Sequence, residues 1–135
     1  MTKKKIERVS VMHRENILWL KWFFMKDKEN PKYSVLERKM FDAAKNQDML
    51  AYQKYATIKQ ITDIRVQTSP EDILETVKEV YVYNRMNVIG ACQRILFLGQ
   101  SSSYTKLSKW FDTYSDLYFS IVPLPNMEVY HRFVG

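Results

Sequence analysis

The sequence predicts an all-α protein, and three observations lead to this fold class. Only three glycines occur in 135 residues, which disfavours folds built from strands and tight turns. Apolar residues recur three or four positions apart in most segments, as one face of a helix requires. Helix start signals precede several of these segments. We therefore expect one domain over residues 1–135, a compact bundle of about five helices with a basic arm at residues 1–9 and a short C-terminal tail at residues 123–135.

The first helix is expected from Ser10, which can serve as its N-cap, to about Lys28. The segment ENPK ends it, because the residue before Pro31 is pushed out of helical geometry. Inside this helix, NILWLKWFFMK is apolar on every side and is shorter than the ~20 residues needed to span a bilayer. Its apolar residues divide among three faces: Ile17, Leu20 and Phe24; Leu18, Trp22 and Met25; Trp19 and Phe23.

Two further helices follow, and each carries a capping signal. Ser34 and Glu37 have the spacing of a capping box, in which each side chain satisfies the other's free backbone N–H. This helix is expected over residues 34–45. Asp48 caps the next one, over residues 48–65, after a short connection. Their inner stripes are Leu36, Met40 and Ala43 or Ala44 in the first, and Ala51, Tyr55, Ile58 and Ile61 in the second.

The stretch TSPED gives the clearest helix start. Ser69 is expected to cap, and the proline after it takes the first helical position, where its missing N–H costs nothing. A stripe of apolar residues then continues to Gly99. This predicts one long helix near residues 70–98, with Gly99 in the left-handed cap position. Asn87 and Gly90 are the places where such a long helix would kink or split.

The last helix has the most regular pattern in the chain. After the short polar loop QSSS, apolar residues alternate spacings of three and four, and PLPN ends the helix. Trp110 lies outside this seam, so the helix has more than one apolar face. The seam itself consists of Tyr104, Leu107, Phe111, Tyr114, Tyr118 and Ile121.

The single cysteine indicates the kind of cellular compartment in which the protein is found. Cys92 excludes an internal disulfide and fits a reducing compartment. No secretory signal follows the basic start MTKKK, so we expect a cytoplasmic protein, or one in the host cytoplasm or virion if it is viral. The Lys, Asn, Tyr and Ile content suits an AT-rich genome. A small phage or bacterial accessory or structural protein would have such a composition.

Signals for chemistry are weak. His13, His131 and Cys92 are the whole supply of soft metal ligands, which disfavours a structural zinc site. No nucleophile-elbow or phosphate-loop motif occurs. Cys92 lies on an apolar stripe, where a thiol behaves as a small hydrophobe, and His13 is expected on a helix surface. The sequence therefore predicts a non-enzymatic protein without metal, cofactor or small-molecule substrate.

The aromatic residues indicate binding instead. A helix that is apolar on all sides must run through the centre of a bundle or share a face with a partner, and a bundle of this length has little room for an enclosed helix. We therefore expect an interaction or assembly protein that binds a protein partner or forms a homo-oligomer through aromatic-rich helix faces. Complete internal burial and binding at a membrane surface are the alternatives. The expected interface anchors are Trp19, Trp22, Phe23 and Trp110.

Nucleic-acid binding is the alternative function. The net charge is +7 over residues 1–60, from 14 Lys/Arg and 7 Asp/Glu, and −1 over residues 61–135, from 7 and 8. The two helices at residues 34–65 are spaced like a helix-turn-helix, although any helical hairpin in a bundle shows the same spacing. The side chains expected to meet phosphates or bases are Lys3, Lys4, Lys5 and Arg8 in the arm, with Gln53, Lys54, Lys59 and Gln60 in the hairpin.

Overall fold

A computed structural model describes residues 9–121, and nearly all of their regular structure is helical. One isolated antiparallel pairing, between Lys26 and Ser34, is the only β pairing in this part of the chain. The predicted all-α class is therefore confirmed. The helices are α1 (Arg14–Phe24), α2 (Val35–Lys45), α3 (Met49–Gln67), α4 (Glu71–Val77), α5 (Val88–Ala91) and α6 (Gln100–Ile121). Short π-helical segments, Lys78–Val82 and Cys92–Leu96, extend α4 and α5.

The predicted basic arm and C-terminal tail fall largely outside the described residues. This holds for Lys3, Lys4, Lys5, Arg8 and His131. Val9, at the end of the predicted arm, is helical and buried, so it contributes to the core. Residues 9–12 are helical as a group, and Ser10 within them is therefore not the N-cap that the sequence predicts.

α1 ends at Phe24, earlier than the predicted end at Lys28, and the next residue has an extended backbone. The carbonyl of that residue accepts the N–H of Val35 at 2.9 Å. Further into the loop, the Asp27 N–H donates to the carbonyl of Tyr33 at 2.9 Å. These bonds across the loop take the place of helical ones, so the chain turns back and leads directly into α2.

The capping signals of α2 and α3 are confirmed. The Ser34 hydroxyl accepts the Glu37 N–H at 3.1 Å, and the Ser34 N–H donates to the Glu37 carboxylate at 3.0 Å. The Asp48 carboxylate accepts the Ala51 N–H at 3.1 Å and starts α3. Each cap satisfies backbone donors that the first helical turn leaves free. The buried residues of the predicted stripes are Leu36, Ala43, Ile58 and Ile61.

The long helix expected near residues 70–98 is split into α4 and α5. α4 passes into its π-helical segment, and Asn84 then adopts a left-handed backbone with a φ of 53°. The Asn87 side-chain oxygen accepts the Gly90 N–H at 2.7 Å and caps α5. Asparagine tolerates the left-handed region and caps helices well, so both residues suit a break here. Asn87 thus marks the division, as the sequence indicates.

Two predicted cap residues have other roles. Ser69 does not cap α4; its hydroxyl donates to the Arg65 carbonyl and accepts the indole N–H of Trp110 at 2.8 Å. Gly99 is not left-handed, because the π-helical segment after α5 already ends at Phe97, whose φ is 55°. α6 begins directly after this glycine, so QSSS is helical rather than a loop.

α1 lies at the centre of the packing and contacts α2, α3, α6 and the π-helical segment after α4. α6 runs parallel to α1. The Ser115 hydroxyl donates to the Asn16 side-chain oxygen at 2.9 Å, across 99 residues of sequence. Trp19 packs on Tyr118 at the same sequence separation, with ring centroids 5.2 Å apart. The constant separation shows that the two helices advance together in one direction.

α6 runs antiparallel to α3 on another of its sides. The Thr62 and Tyr114 hydroxyls are hydrogen-bonded at 2.5 Å, and Trp110 reaches Ser69 just beyond the end of α3. The predicted seam of α6 supplies three fully buried side chains to this region. The large apolar side chains with no exposed surface are Leu20, Leu36, Ile58, Ile61, Val77, Leu107, Phe111 and Tyr114.

Replacing Ser34 by alanine removes the reciprocal cap of α2. We expect the free energy of unfolding to fall by about 1 kcal/mol, since N-cap serines typically contribute that much. Urea denaturation followed by circular dichroism measures the change. Ser102→Ala is the control, because Ser102 lies exposed in α6 and should shift stability by less than about 0.5 kcal/mol. Equal losses in the two variants would contradict the role of the cap.

Candidate functional site

Three sides of α1 are covered by other helices, and a ring contact marks each of them. Trp22 meets the ring of Tyr55 in α3, with centroids 5.9 Å apart. Trp19 packs on Tyr118 of α6. On the third side, the ammonium group of Lys78, in the π-helical segment after α4, lies 4.7 Å from the centroid of the Phe24 ring. The covered sides hold α1 in place and leave one side of it open.

The open side of α1 carries Arg14, Leu18, Lys21 and Met25, which together we call the open face. Spacings of four, three and four residues put them in one row along the helix. Leu18 and Met25 are each 43% exposed, and Arg14 is exposed as well. Met25 directly follows the last helical residue and lies at the end of the row. The open face thus presents two large apolar side chains to solvent beside two cations.

Trp22 forms the edge of the open face toward α2. Its ring is half-buried, with Tyr55 on one side and the Lys39 ammonium 4.8 Å from the ring centroid. A cation over the face of an indole is a favourable electrostatic contact. These neighbours fix the orientation of the ring, while part of its surface remains accessible.

Two of the four predicted interface anchors are core residues. Trp19 is 8% exposed and Trp110 is 2% exposed, and both rings contact Tyr114, with centroids 5.8 and 5.7 Å apart. They therefore present little surface to a partner, and their burial argues against the predicted role of Trp19 and Trp110 as anchors. Phe23 is half-buried and packs edge-on against its neighbour in the chain. The interface roles of Trp22 and Phe23 stay predictions.

Leu18, Trp22 and Met25 form one of three apolar faces visible in the sequence, and it is the face that stays partly open, because Leu18 and Met25 are exposed while Trp22 is half-buried at its edge. The three faces are similarly apolar, so hydrophobicity does not show which of them the neighbouring helices cover. Arg14 and Lys21, in the same row, were the available signal. Charged side chains are rarely buried without a partner, so a face that carries two cations is the one expected to meet solvent.

The residues predicted to bind nucleic acid do not converge on one surface of α3. Gln53 and Gln60 are seven residues apart and share a face. Lys54 and Lys59, however, lie about 140° apart around the helix axis. Lys59 is also paired with Asp63, at 3.5 Å. A recognition helix presents its base-reading side chains on one side, so this arrangement adds no geometric support to the nucleic-acid prediction.

Exposed apolar side chains also occur where α2 turns into α3. Phe41 lies near the end of α2, and Met49 and Leu50 lie in the first turn of α3, so all three belong to the same end of this hairpin. Phe41 is partly covered by the ring of Tyr33, and the two ring centroids are 4.7 Å apart. Leu50 is an exposed leucine in a helix other than α1, and it provides a matched position for comparison with Leu18.

The buried side of α1 begins with an imidazole. His13, which the sequence places on the surface, is buried and stacks on Phe111 of α6 with ring centroids 5.0 Å apart. Its Nε2 lies 3.9 Å from Oδ1 of Asp112 and has no hydrogen-bond partner among the described residues. Burial lowers the pKa of His13, and the Asp112 carboxylate opposes this shift only in part. The imidazole is therefore neutral at about pH 7.

Cys92 and Tyr81 are also titratable groups that are buried away from the open face. Burial raises the pKa of the Cys92 thiol, and a hydrogen bond with Ser103 opposes the shift in part. Burial also raises the pKa of Tyr81, whose hydroxyl has no hydrogen-bond partner in the described part of the chain. A protonated, enclosed thiol is a poor nucleophile, so the environment of Cys92 suits a packing role.

A groove of about 500 Å³ lies beside the break between α4 and α5, where Tyr81, Met86 and Val88 are among its lining residues. Its polar groups are largely engaged within the chain. Arg85 donates to the Glu79 carboxylate at 2.8 Å, and the side chain of Asn87 caps α5. The groove therefore offers few free polar groups with which to orient a ligand.

Comparisons with protein-family models, with curated proteins and with solved structures find no match to this chain. Within residues 9–121, no helix combines the length and apolar character needed to cross a bilayer. In the same range, His, Cys, Asp and Glu residues form no group of three or more that could hold a metal ion.

The buried imidazole makes the stability of the protein depend on pH. His13 has a lower pKa in the folded chain than its ordinary value of about 6.5. Below about pH 6.5 the unfolded chain therefore binds more protons than the folded one, and the free energy of unfolding falls as the pH decreases. Above that pH the imidazole is neutral in both states. We expect the urea midpoint of the wild type to decrease from about pH 7 to about pH 5.

His13→Gln should flatten this decrease, because glutamine does not titrate, although the variant loses some stability at every pH. His131→Gln is the control, since histidine occurs at only these two positions. The control should follow the wild-type profile. Parallel profiles for the wild type and His13→Gln would contradict the assignment of the pH dependence to His13.

Proposed function

We propose that this protein is a non-enzymatic helical module that binds a protein partner through the open face of α1. One observation supports the proposal above the others. Leu18 and Met25 are each 43% exposed on the open side of a helix whose other sides are packed. Apolar side chains of this size gain free energy when a partner removes them from water. The face is therefore suited to association.

The ordered state of α1 favours binding. Its buried side is held by the hydrogen bond between Asn16 and Ser115, and by the packing of Trp19 on α6. A surface that is already ordered loses little conformational entropy when a partner docks. Met25 has an unbranched, polarisable side chain, which adapts to the shape of what covers it.

Trp22 is the anchor that we assign to this interface. Tryptophan is enriched among the residues that dominate binding energies, and the half-buried ring of Trp22 borders the two exposed apolar side chains. Phe23 lies next to it and is also half-buried. A second copy of the chain is the other occupant that such a face accepts, and it would make the protein a homo-oligomer.

Replacing Leu18 by glutamine tests the proposal. Glutamine keeps the helix propensity of leucine, and the position is partly exposed, so the fold should persist. We expect the affinity for the partner to fall by about tenfold, because a polar amide replaces an apolar contact at the interface. Affinity capture from the native host with quantitative mass spectrometry measures hetero-association, and light scattering on the purified protein measures self-association.

Leu50→Gln is the matched control, since Leu50 is 69% exposed at the start of α3. A partner that is lost with Leu18→Gln and kept with Leu50→Gln supports the open face as its binding site. The proposal fails if Leu18→Gln recovers every partner at the wild-type level and also leaves the mass from light scattering unchanged.

A further inference from the structure

The open face of α1 carries an excess of unpaired positive charge. Arg14 and Lys21 lie in its row, and Lys26 follows its end. None of these three cations forms an ion pair with a carboxylate of the described residues. Arg38, elsewhere on the surface, pairs with three carboxylates. The only acidic residue in α1 is Glu15. The charges of the open face are therefore available to a ligand.

A fourth cation borders the open face at its edge. The Lys39 ammonium lies 4.8 Å from the centroid of the Trp22 ring and 5.8 Å from that of Tyr55. It forms no ion pair within residues 9–121. An aromatic ring attracts an ammonium but carries no net charge, so the positive charge of Lys39 remains uncompensated. The exposed apolar row is thus lined by cations along its length and at its edge.

We propose that the open face docks an amphipathic helix of a partner protein, in which aspartate or glutamate residues flank the apolar row. This inference rests on the function proposed above and adds the chemistry of the partner. The apolar side chains of such a helix cover Leu18 and Met25, and its carboxylates lie near Arg14 and Lys21. Helices that dock on apolar surfaces place their anchors at positions i, i+3 or i+4, and i+7. Leu18, Trp22 and Met25 have this spacing, so their side of α1 matches such a helix in length and direction.

Charge disfavours a second copy of the chain as the occupant. In a two-fold dimer the same patch meets itself, so Arg14 and Lys21 of one protomer would lie close to the same cations of the other. Like charges that face each other across an interface are unfavourable. Glu15 alone cannot balance the cations of two protomers. A partner of opposite charge meets no such repulsion and also associates faster.

The shape and composition of the face disfavour lipid and nucleic acid. A helix that lies in a membrane surface buries a broad apolar face, whereas Lys21 separates the two exposed apolar side chains here. A nucleic acid would pair its phosphates with Arg14 and Lys21 but would leave Leu18 and Met25 uncovered, because its backbone offers them little apolar surface. An acidic amphipathic helix satisfies the cations and the apolar side chains together.

Two synthetic helices labelled with fluorescein test this inference. Both carry leucines at positions i, i+4 and i+7, and the flanking positions are glutamate in one peptide and lysine in the other. Each peptide is titrated with the full-length protein and followed by fluorescence anisotropy. We expect the glutamate helix to bind at least about tenfold more tightly than the lysine helix, with an affinity that decreases as salt is added.

Arg14→Glu combined with Lys21→Glu reverses the charge of the open face. This double variant should lose the preference for the glutamate helix, because the carboxylates then meet like charges. Lys106→Glu combined with Lys109→Glu is the matched control. Both of these lysines are exposed on α6, and the change in net charge is the same. The control should keep the wild-type preference, and circular dichroism verifies that both variants are folded.

Any of three results with the peptides would overturn the inference: equal binding of the two helices to the wild type, no binding of the glutamate helix at about 100 µM, or an equal loss of preference in the two double variants. Vesicles of phosphatidylcholine with phosphatidylserine, and a DNA duplex, are titrated in parallel. Tighter binding of either one than of the glutamate helix also overturns it. A partner that is lost with Leu18→Gln but kept with the Arg14→Glu and Lys21→Glu double variant would contradict this inference. The proposed function would then still stand.

Discussion

The parallel packing of α1 against α6 is the contact on which the rest of the structure depends. The hydrogen bond from Ser115 to Asn16 and the packing of Trp19 on Tyr118 set the register between two helices that are far apart in sequence. Parallel neighbours cannot be joined by a short turn, so the chain between them has to cross back. The α2–α3 hairpin and the α4–α5 segment make this return, and in doing so they cover two flanks of α1. The open face is the side that this path leaves uncovered.

Local features of the fold were predictable because their bonds span few residues. The Ser34–Glu37 cap and the Asp48 cap each close within three residues, and the sequence shows both partners. At Asn87 the sequence indicates a break in the long helix, and the structure adds that this side chain caps α5. The prediction that Ser69 caps α4 was wrong, because its hydroxyl accepts the indole N–H of Trp110, which lies 41 residues away. Such a contact depends on the packing of α6 against α3. A capping signal in the local sequence can therefore fail where a distant side chain competes for the capping group.

The candidate site was less predictable than the fold, and Trp19 and Trp22 show why. They are identical side chains three residues apart in one apolar run, and about 60° separates them around the helix axis. Because of this angle, Trp19 faces α6 and is buried, whereas Trp22 lies at the border with solvent and is half-buried. A run that is apolar on every side has no amphipathic direction, so its periodicity cannot indicate which face is covered. The positions of the neighbouring helices decide it, and the cations Arg14 and Lys21 are the signal of it that the sequence carries.

Within α1 the aromatic side chains are buried or half-buried, whereas the aliphatic Leu18 is exposed. A small bundle has a high ratio of surface to volume, and large rings such as Trp110 and Phe111 fill its interior with few residues. The exposed apolar side chains of the open face are Leu18 and Met25, which expose less apolar area than an indole ring would. Cations beside these side chains keep the face hydrated. In the complex that we propose, the same charges oppose indiscriminate association and favour a partner of opposite charge.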